Sequence, residues 1–221
     1  MKKRIPFVIS LCTCICLFAL SSCKTPEKEN TSATPATSSS GISKASVDLK
    51  TSMRKLWEDH VTWTRNVICC LVDNLPGADQ AVARLMKNQD DIGDAIKPIY
   101  GDDAGKKLTD LLHSHIAISA DVVNAAKKND KAGLDAANKK WYDNADSISA
   151  FLAAANPNWK LDDMKMMMHD HLKLTTDEAV ARIKKDYAGD VKAYDKVVEE
   201  ILKMSDGLAD GIVAQYPDKF K

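Results

Sequence analysis

The chain has 221 residues, with 31 Lys+Arg against 31 Asp+Glu, 45% hydrophobic residues, 6% aromatics, 9 Gly and 7 Pro. That is too apolar for a wholly disordered chain and too poor in aromatics and turn formers for a β-sandwich, and the balanced charge lacks the basic face of a nucleic-acid binder. Beyond the N-terminus no long apolar run occurs, which excludes a multispanning membrane protein.

At the N-terminus Lys2, Lys3 and Arg4 precede an apolar stretch from Ile5 to Leu20. This is short for a membrane span and reads as a secretory signal. Its end, Leu20-Ser21-Ser22-Cys23, resembles a bacterial lipobox. The resemblance implies removal of residues 1–22 and acylation of Cys23, with small residues before the cut admitting the backbone to a narrow protease groove. The mature chain then keeps 28 basic against 31 acidic residues. It has no polybasic second anchor, so the lipid alone holds it at the membrane of the bacterial envelope. Residues 23–45 are rich in Ser, Thr, Pro, Lys and Glu, without apolar periodicity, and are expected to form a disordered tether. The folded domain is expected over 46–221.

From there helical periodicity dominates. Leu56, His60, Trp63, Val67 and Cys70 make a first stripe, stopped at Leu75-Pro76-Gly77. Val82, Leu85, Gln89, Ile92 and Ile96 make a second, ended by Pro98 and Gly101. Leu108, Leu111, His115, Ile118 and Val122 form a third, closing near Asn129. Trp141, Ala145, Ile148 and Leu152 form a fourth, stopped by Asn156-Pro157. Met164, Met168, His171 and Leu174 follow on a short fifth. The spacing of Thr175 and Glu178 reads as a capping box that opens a long last helix through Ile212. The expected fold is all-α, an antiparallel up-and-down bundle of about five to six helices. Asp79-Gln-Ala-Val-Ala-Arg-Leu echoes Asp177-Glu-Ala-Val-Ala-Arg-Ile. A duplicated helix pair or the limited vocabulary of helix starts would each produce that echo.

The chemistry sits inside the stripes. His60, His115, His171 and Gln89 occupy apolar-face positions, Asn144 flanks one, and each histidine has a hydroxyl one turn later: Thr64, Ser119 and Thr175. Inward imidazoles need partners. One reading is a hydrogen-bonded polar layer that fixes helix register. The other is a metal centre, copper before zinc, built on His60, His115 and His171 with Met164 and Met168, near Glu58, Asp59, Asp170 or Asp206. No His-Glu-x-x-His, Glu-x-x-His pair, phosphate-cradling Gly loop or Gly-x-Ser-x-Gly elbow occurs, and no catalytic residue is nominated. Cys69 and Cys70 are expected to be buried small apolar residues, and the four Trp to be packing residues.

The segment Leu56-Trp57-Glu58-Asp59-His60-Val61-Thr62-Trp63-Thr64-Arg65, with Asn88-Gln89 and Ile92-Gly93, resembles a family of small bacterial envelope proteins without an established activity. Asn156-Pro157-Asn158-Trp159, Met167-Met168-His169-Asp170-His171-Leu172 and Gln215-Tyr216-Pro217-Asp218-Lys219-Phe220 extend the likeness over about 53–220. It implies one helical unit. Some members carry a glycosyltransferase label, but this chain lacks an α/β nucleotide-sugar domain and an Asp-x-Asp motif. The expectation is a lipid-anchored binding or interaction module without catalysis, its protein or small-ligand partner unassigned, with metal handling as the alternative.

Overall fold

The computed structural model describes residues 43–221. The signal segment, Cys23 and nearly all of the tether lie outside the described residues. Six helices follow in chain order: α1 (Lys44–Asp73), α2 (Ala78–Tyr100), α3 (Asp102–Lys127), α4 (Lys131–Ala155), α5 (Leu161–Ile183) and α6 (Tyr187–Gln215). A short 3-10 turn, Pro217–Phe220, completes the chain. Each helix packs on its neighbours in sequence, and α1 closes the ring on α6. The helix α1 also touches α3 and α5, and α3 touches α5, so these three form the inner set. The fold is an all-α up-and-down bundle. Among the described residues no helix is long and apolar enough to cross a membrane.

The helices are three successive hairpins with a common register. Asn74, Asn129 and Lys185 sit just past α1, α3 and α5 with left-handed φ of 53°, 56° and 59°, spaced 55 and 56 residues apart. Met53, Leu108 and Met164 are equivalent and buried, as are Trp57, Leu112 and Met168, and Val61, Ile116 and Leu172. The repeat extends to polar detail. The Asn88 Nδ2 group donates to the Leu56 carbonyl at 3.0 Å, and Asn144 Nδ2 donates to that of Leu111 at 3.1 Å. Asp130 and Asp186 each accept from the amide three residues on, Gly133 at 3.0 Å and Gly189 at 2.9 Å, capping α4 and α6. The echo at Asp79 and Asp177 is not this repeat. It falls on the start of α2 and the second half of α5, helices of opposite direction, and reflects helix vocabulary.

Three expectations change. The turn before α6 lies at Lys184–Asp186, not at Thr175; Thr175 and Glu178 are buried in the interior of α5, and the functioning cap is Asp186. The first stripe is out of phase, since Met53, Trp57, His60, Val61, Val67 and Ile68 are buried while Leu56, Trp63 and Cys70 are half-buried. Cys69 and Cys70 are free thiols, each half-buried rather than buried.

Two close contacts fix helix spacing. A Cβ at Gly93 would stand 2.7 Å from the Gly105 carbonyl and 2.0 Å from Thr109 Oγ1, so α2 and α3 cross almost backbone to backbone. A Cβ at Gly211 would meet Trp159 Nε1 at 2.0 Å, so glycine there admits the indole against α6. The loop before α5 is tied down at the same end. Asn158 N donates to Asn156 Oδ1 at 2.9 Å, Asn156 Nδ2 to Tyr100 Oη at 3.0 Å, and that hydroxyl to Gln215 Oε1 at 2.8 Å.

Candidate functional site

The inner helices bring His60, His115 and His171 to one level of the bundle axis, one imidazole per hairpin. Each bonds outward through Nδ1 to the returning helix of its own hairpin, always 29 residues on: Gln89 Nε2 at 3.2 Å, Asn144 Oδ1 at 2.8 Å and Glu200 Oε2 at 3.0 Å. The His60 and His171 ring centroids are 5.7 Å apart.

The bonding assigns protons. Asn144 spends its amide on the Leu111 carbonyl, so its Oδ1 accepts from His115 Nδ1–H. His115 Nε2 in turn accepts from Trp141 Nε1 at 3.1 Å, which engages both ring nitrogens of a neutral imidazole. Burial, with His171 nearby, pushes the His115 pKa down to about 3. The Gln89 amide nitrogen, 3.2 Å from His60 Nδ1, shares its two hydrogens among that ring, the Leu85 carbonyl at 2.8 Å and Asn88 Oδ1 at 3.1 Å. Burial foremost, then the neighbouring His171 and His115, hold the His60 pKa well below the usual imidazole range. His171 donates to the Glu200 carboxylate.

The expected polar layer is therefore brought together around the imidazoles by Gln89 and Asn144. Thr64 and Ser119 donate to carbonyls of their own helices, His60 at 2.8 Å and Ile116 at 2.8 Å. Thr175 Oγ1 is buried without a hydrogen-bond partner among the described residues. Met164 and Met168 lie in the main hydrophobic cluster with Met53 and Trp57, at core positions the other hairpins fill with hydrophobic residues. Glu58 and Asp170 are exposed, Asp59 pairs with Lys55 at 2.8 Å, and Asp206 pairs with Arg54. None of the four carboxylates expected near the histidines bonds to one of these imidazoles; Glu200, which sequence reasoning missed, does. Among the described residues no group of three His, Cys, Asp or Glu is placed to hold a metal ion.

One turn further along the inner helices a pocket of about 80 Å³ opens on the axis. The Thr64, Ser119 and Thr175 positions lie on the side nearest the imidazoles. Val67, Ile68, Val122, Val123 and Ala179 follow as walls, and Ala126, Leu134, Val180 and Ile183 lead outward. Those last four also line a surface groove of about 360 Å³ that reaches Asn129, Lys131 and Lys184 at the αL-turn end. Among the described residues no charged side chain lines the inner pocket.

A second polar cluster, absent from the sequence reading, closes the seam between α1, α5 and α6. Arg65 Nη1 donates to Glu178 Oε1 at 2.6 Å and to Asp190 Oδ1 at 2.7 Å. Arg182 donates to Asp190 Oδ2 at 3.2 Å and, through Nε, to Asp73 at 2.9 Å. Tyr194 lies under the Arg65 guanidinium at 4.7 Å. Glu178 and Asp190 are each 1% exposed. Burial pushes the Glu178 pKa up to about 7 against the pull of Arg65.

The chain matches no family model, no curated protein and no solved structure. The motifs at 56–65, 156–159, 167–172 and 215–220 can be read from their places in the fold. Trp57, His60, Val61, Met168, His171 and Leu172 belong to the axial core, Arg65 to the buried seam, and Asn156, Trp159 and Gln215 to the tied-down loop end.

Proposed function

We propose that this is a lipid-anchored binding protein of the bacterial envelope that holds a small, mainly apolar ligand in its axial pocket. The observation that carries the reading is the uncharged pocket on the bundle axis, continuous with a surface groove and bounded inward by hydroxyls beneath the imidazole layer. Apolar pockets with a few convergent polar groups are the usual form of small-molecule sites, and groove and pocket together fall in their ordinary size range of roughly 300–1,000 Å³. The satisfied bonding of His115 makes the imidazole layer a register device and an inner floor. It does not supply an open coordination position at that residue.

Anchoring rests on the lipobox-like Leu20-Ser21-Ser22-Cys23. The helix α1 begins at the end of the bundle opposite the αL turns where the groove opens, so an anchor attached ahead of Ser43 leaves the mouth free. Labelled palmitate incorporation that disappears in Cys23→Ala tests the anchor. For the pocket, the probe is benzene, followed through the methyl resonances of Ile68, Val122 and Val123. Saturable shifts at these methyls, abolished in the pocket-filling variant Ala179→Leu, support the reading. Unmoved methyls in the folded wild-type protein at benzene saturation defeat it.

A further inference from the structure

Resting on that binding reading, we propose that the pocket selects an apolar ligand carrying one neutral carboxamide, which pairs with the side-chain amide of Asn138. The polar side chains of the lining are Thr64, Ser119, Asn138, Thr175 and Thr176. Thr64, Ser119 and Thr176 each donate the hydroxyl hydrogen to a carbonyl of their own helix, those of His60, Ile116 and Leu172, all at 2.8 Å. They keep only lone pairs for a ligand. The Thr175 hydroxyl oxygen is fully enclosed by protein and takes no part. Asn138 is half-buried and its side chain bonds to no other described residue, so its two N–H donors and its carbonyl oxygen are uncommitted. At the same position the other two hairpins carry Ala83 and Tyr194, so the amide is particular to α4.

Depth places the two parts of the ligand. Counting from the turns at Asp130 and Lys185, Asn138 on α4 and Thr176 on α5 lie at nearly the same depth, roughly 12–13 Å at 1.5 Å per residue. Val67, Ile68, Val122, Val123 and Ala179 line the stretch between that level and the turn end, and the groove continues it past Leu134 and Ile183. A head group at Asn138 therefore leaves the apolar body running outward along these walls. Water reaches a half-buried amide, and a head group displaces it without loss only by reproducing its bonds. A carboxamide does so: its carbonyl accepts from Asn138 Nδ2, and its N–H donates to Asn138 Oδ1 or Thr176 Oγ1. An ester supplies the acceptor alone. A carboxylate at this depth meets no cation among the described lining residues. The groove lysines, Lys131 and Lys184, branch from the turn level roughly 10 Å further out, and Lys131 is already paired with Asp135 at 3.0 Å. The inner volume of about 80 Å³, against ~150 Å³ for an engineered cavity that admits benzene, requires a slender body.

The test uses the full chain at pH 7 and three probes of equal heavy-atom count: hexanamide, methyl pentanoate and hexanoate. Titrations are followed through the methyl resonances of Ile68, Val122 and Val123 and the side-chain amide protons of Asn138. Hexanamide is expected to bind at least fivefold more tightly than the ester, to shift the Asn138 amide protons as it saturates, and to outcompete hexanoate. Asn138→Ala, which installs the residue of the first hairpin, is expected to bring hexanamide down to the affinity of the ester. The proposal is overturned if ester and amide bind wild type equally, or if the amide preference survives Asn138→Ala. Tightest binding of hexanoate also overturns it and moves the head group to the groove lysines. If none of the three probes moves the pocket methyls, the proposal falls, and the benzene titration alone decides whether the binding reading falls with it. Should Asn138→Ala lose the folded methyl spectrum, Asn138→Leu is read in the same terms, and the wild-type ranking with the Asn138 proton shifts still decides.

Discussion

The buried seam makes a quantitative prediction about pH. Arg65 and Arg182 supply two positive charges to Glu178, Asp190 and Asp73, so the cluster carries one carboxylate too many for neutrality. Glu178 is the group whose pKa burial raises, from 4.5 to about 7. Between those values the folded protein holds a proton that the unfolded chain has released. The contribution is therefore fully present below about pH 4.5 and is lost as pH rises through 7. Glu178→Gln keeps an acceptor for Arg65 and removes the titration. Integrating the two pKa values from pH 5 to pH 8 gives a relative gain of about 2.5 kcal/mol for the variant. Urea unfolding followed by far-ultraviolet circular dichroism at both pH values measures it. The histidines act in the opposite sense, because His60 and His115 are pushed below 6.5 and withdraw stability as pH falls beneath that value. Their effect is common to both proteins and cancels in the difference. Parallel stability profiles for wild type and Glu178→Gln would refute the assignment of a neutral-range proton to Glu178.

Other perturbations have distinct signatures. His115→Ala strands Trp141 Nε1 and Asn144 Oδ1 and opens a cavity, lowering unfolding stability by roughly 2–4 kcal/mol in a urea titration. In Gly93→Ala the new methyl faces the Gly105 carbonyl, and a loss of roughly 1–3 kcal/mol should outweigh the helix-propensity gain of alanine, seen as a lower thermal midpoint. Asp186→Ala removes the acceptor for Gly189 N and costs about 1 kcal/mol, with hydrogen exchange rising first at the start of α6. A null effect there, paired with a large one for Thr175→Ala, would return the helix boundary to Thr175.

The number of helices, their order and four of the five turns were legible because Pro76-Gly77, Gly101, Asn129 and Asn156-Pro157 break apolar periodicity with residues that favour turns. The fifth turn was hidden. Lys185 takes the left-handed conformation at φ 59°, which lysine rarely signals, while Thr175 and Glu178 imitate a cap from inside α5. The stripe phase slipped on α1 because an inner helix touches four others and buries a wide arc, so Leu56 and Trp63 look as inward as Trp57 and Val61. The imidazole layer was readable from His60, His115 and His171 with their hydroxyls one turn on. Glu200 was not, because a glutamate beside Glu199 on a charged helix carries no local mark of its bond to His171. Arg65, Glu178, Arg182 and Asp190 failed for the same reason, since Arg65 pairs with Glu178 and Asp190 across 113 and 125 residues and Arg182 with Asp73 across 109.

The register common to the three hairpins shows where the bundle departs from its own pattern, and the departures concentrate on α5 and α6. At the position of Val67 and Val122 stands Glu178; at that of Leu71 and Ala126 stands Arg182; at that of Gln89 and Asn144 stands Glu200. At the position of Ile68 and Val123 stands Ala179, and the smaller side chain adds room to the axial pocket. A bundle needing only a core would gain by repeating valine and isoleucine here, since each buried methylene contributes about 0.8 kcal/mol. The third hairpin instead places a buried charge cluster on one face of α5 and a pocket wall with a free hydroxyl on another. The ion network fixes α5 against α1 and α6 through directional bonds. That holds the helix at its distance from α3 without the large apolar side chains that would fill the space between them. The seam and the pocket are thus two sides of one helix, and filling the pocket through Ala179→Leu should leave the pH dependence set by Glu178 unchanged.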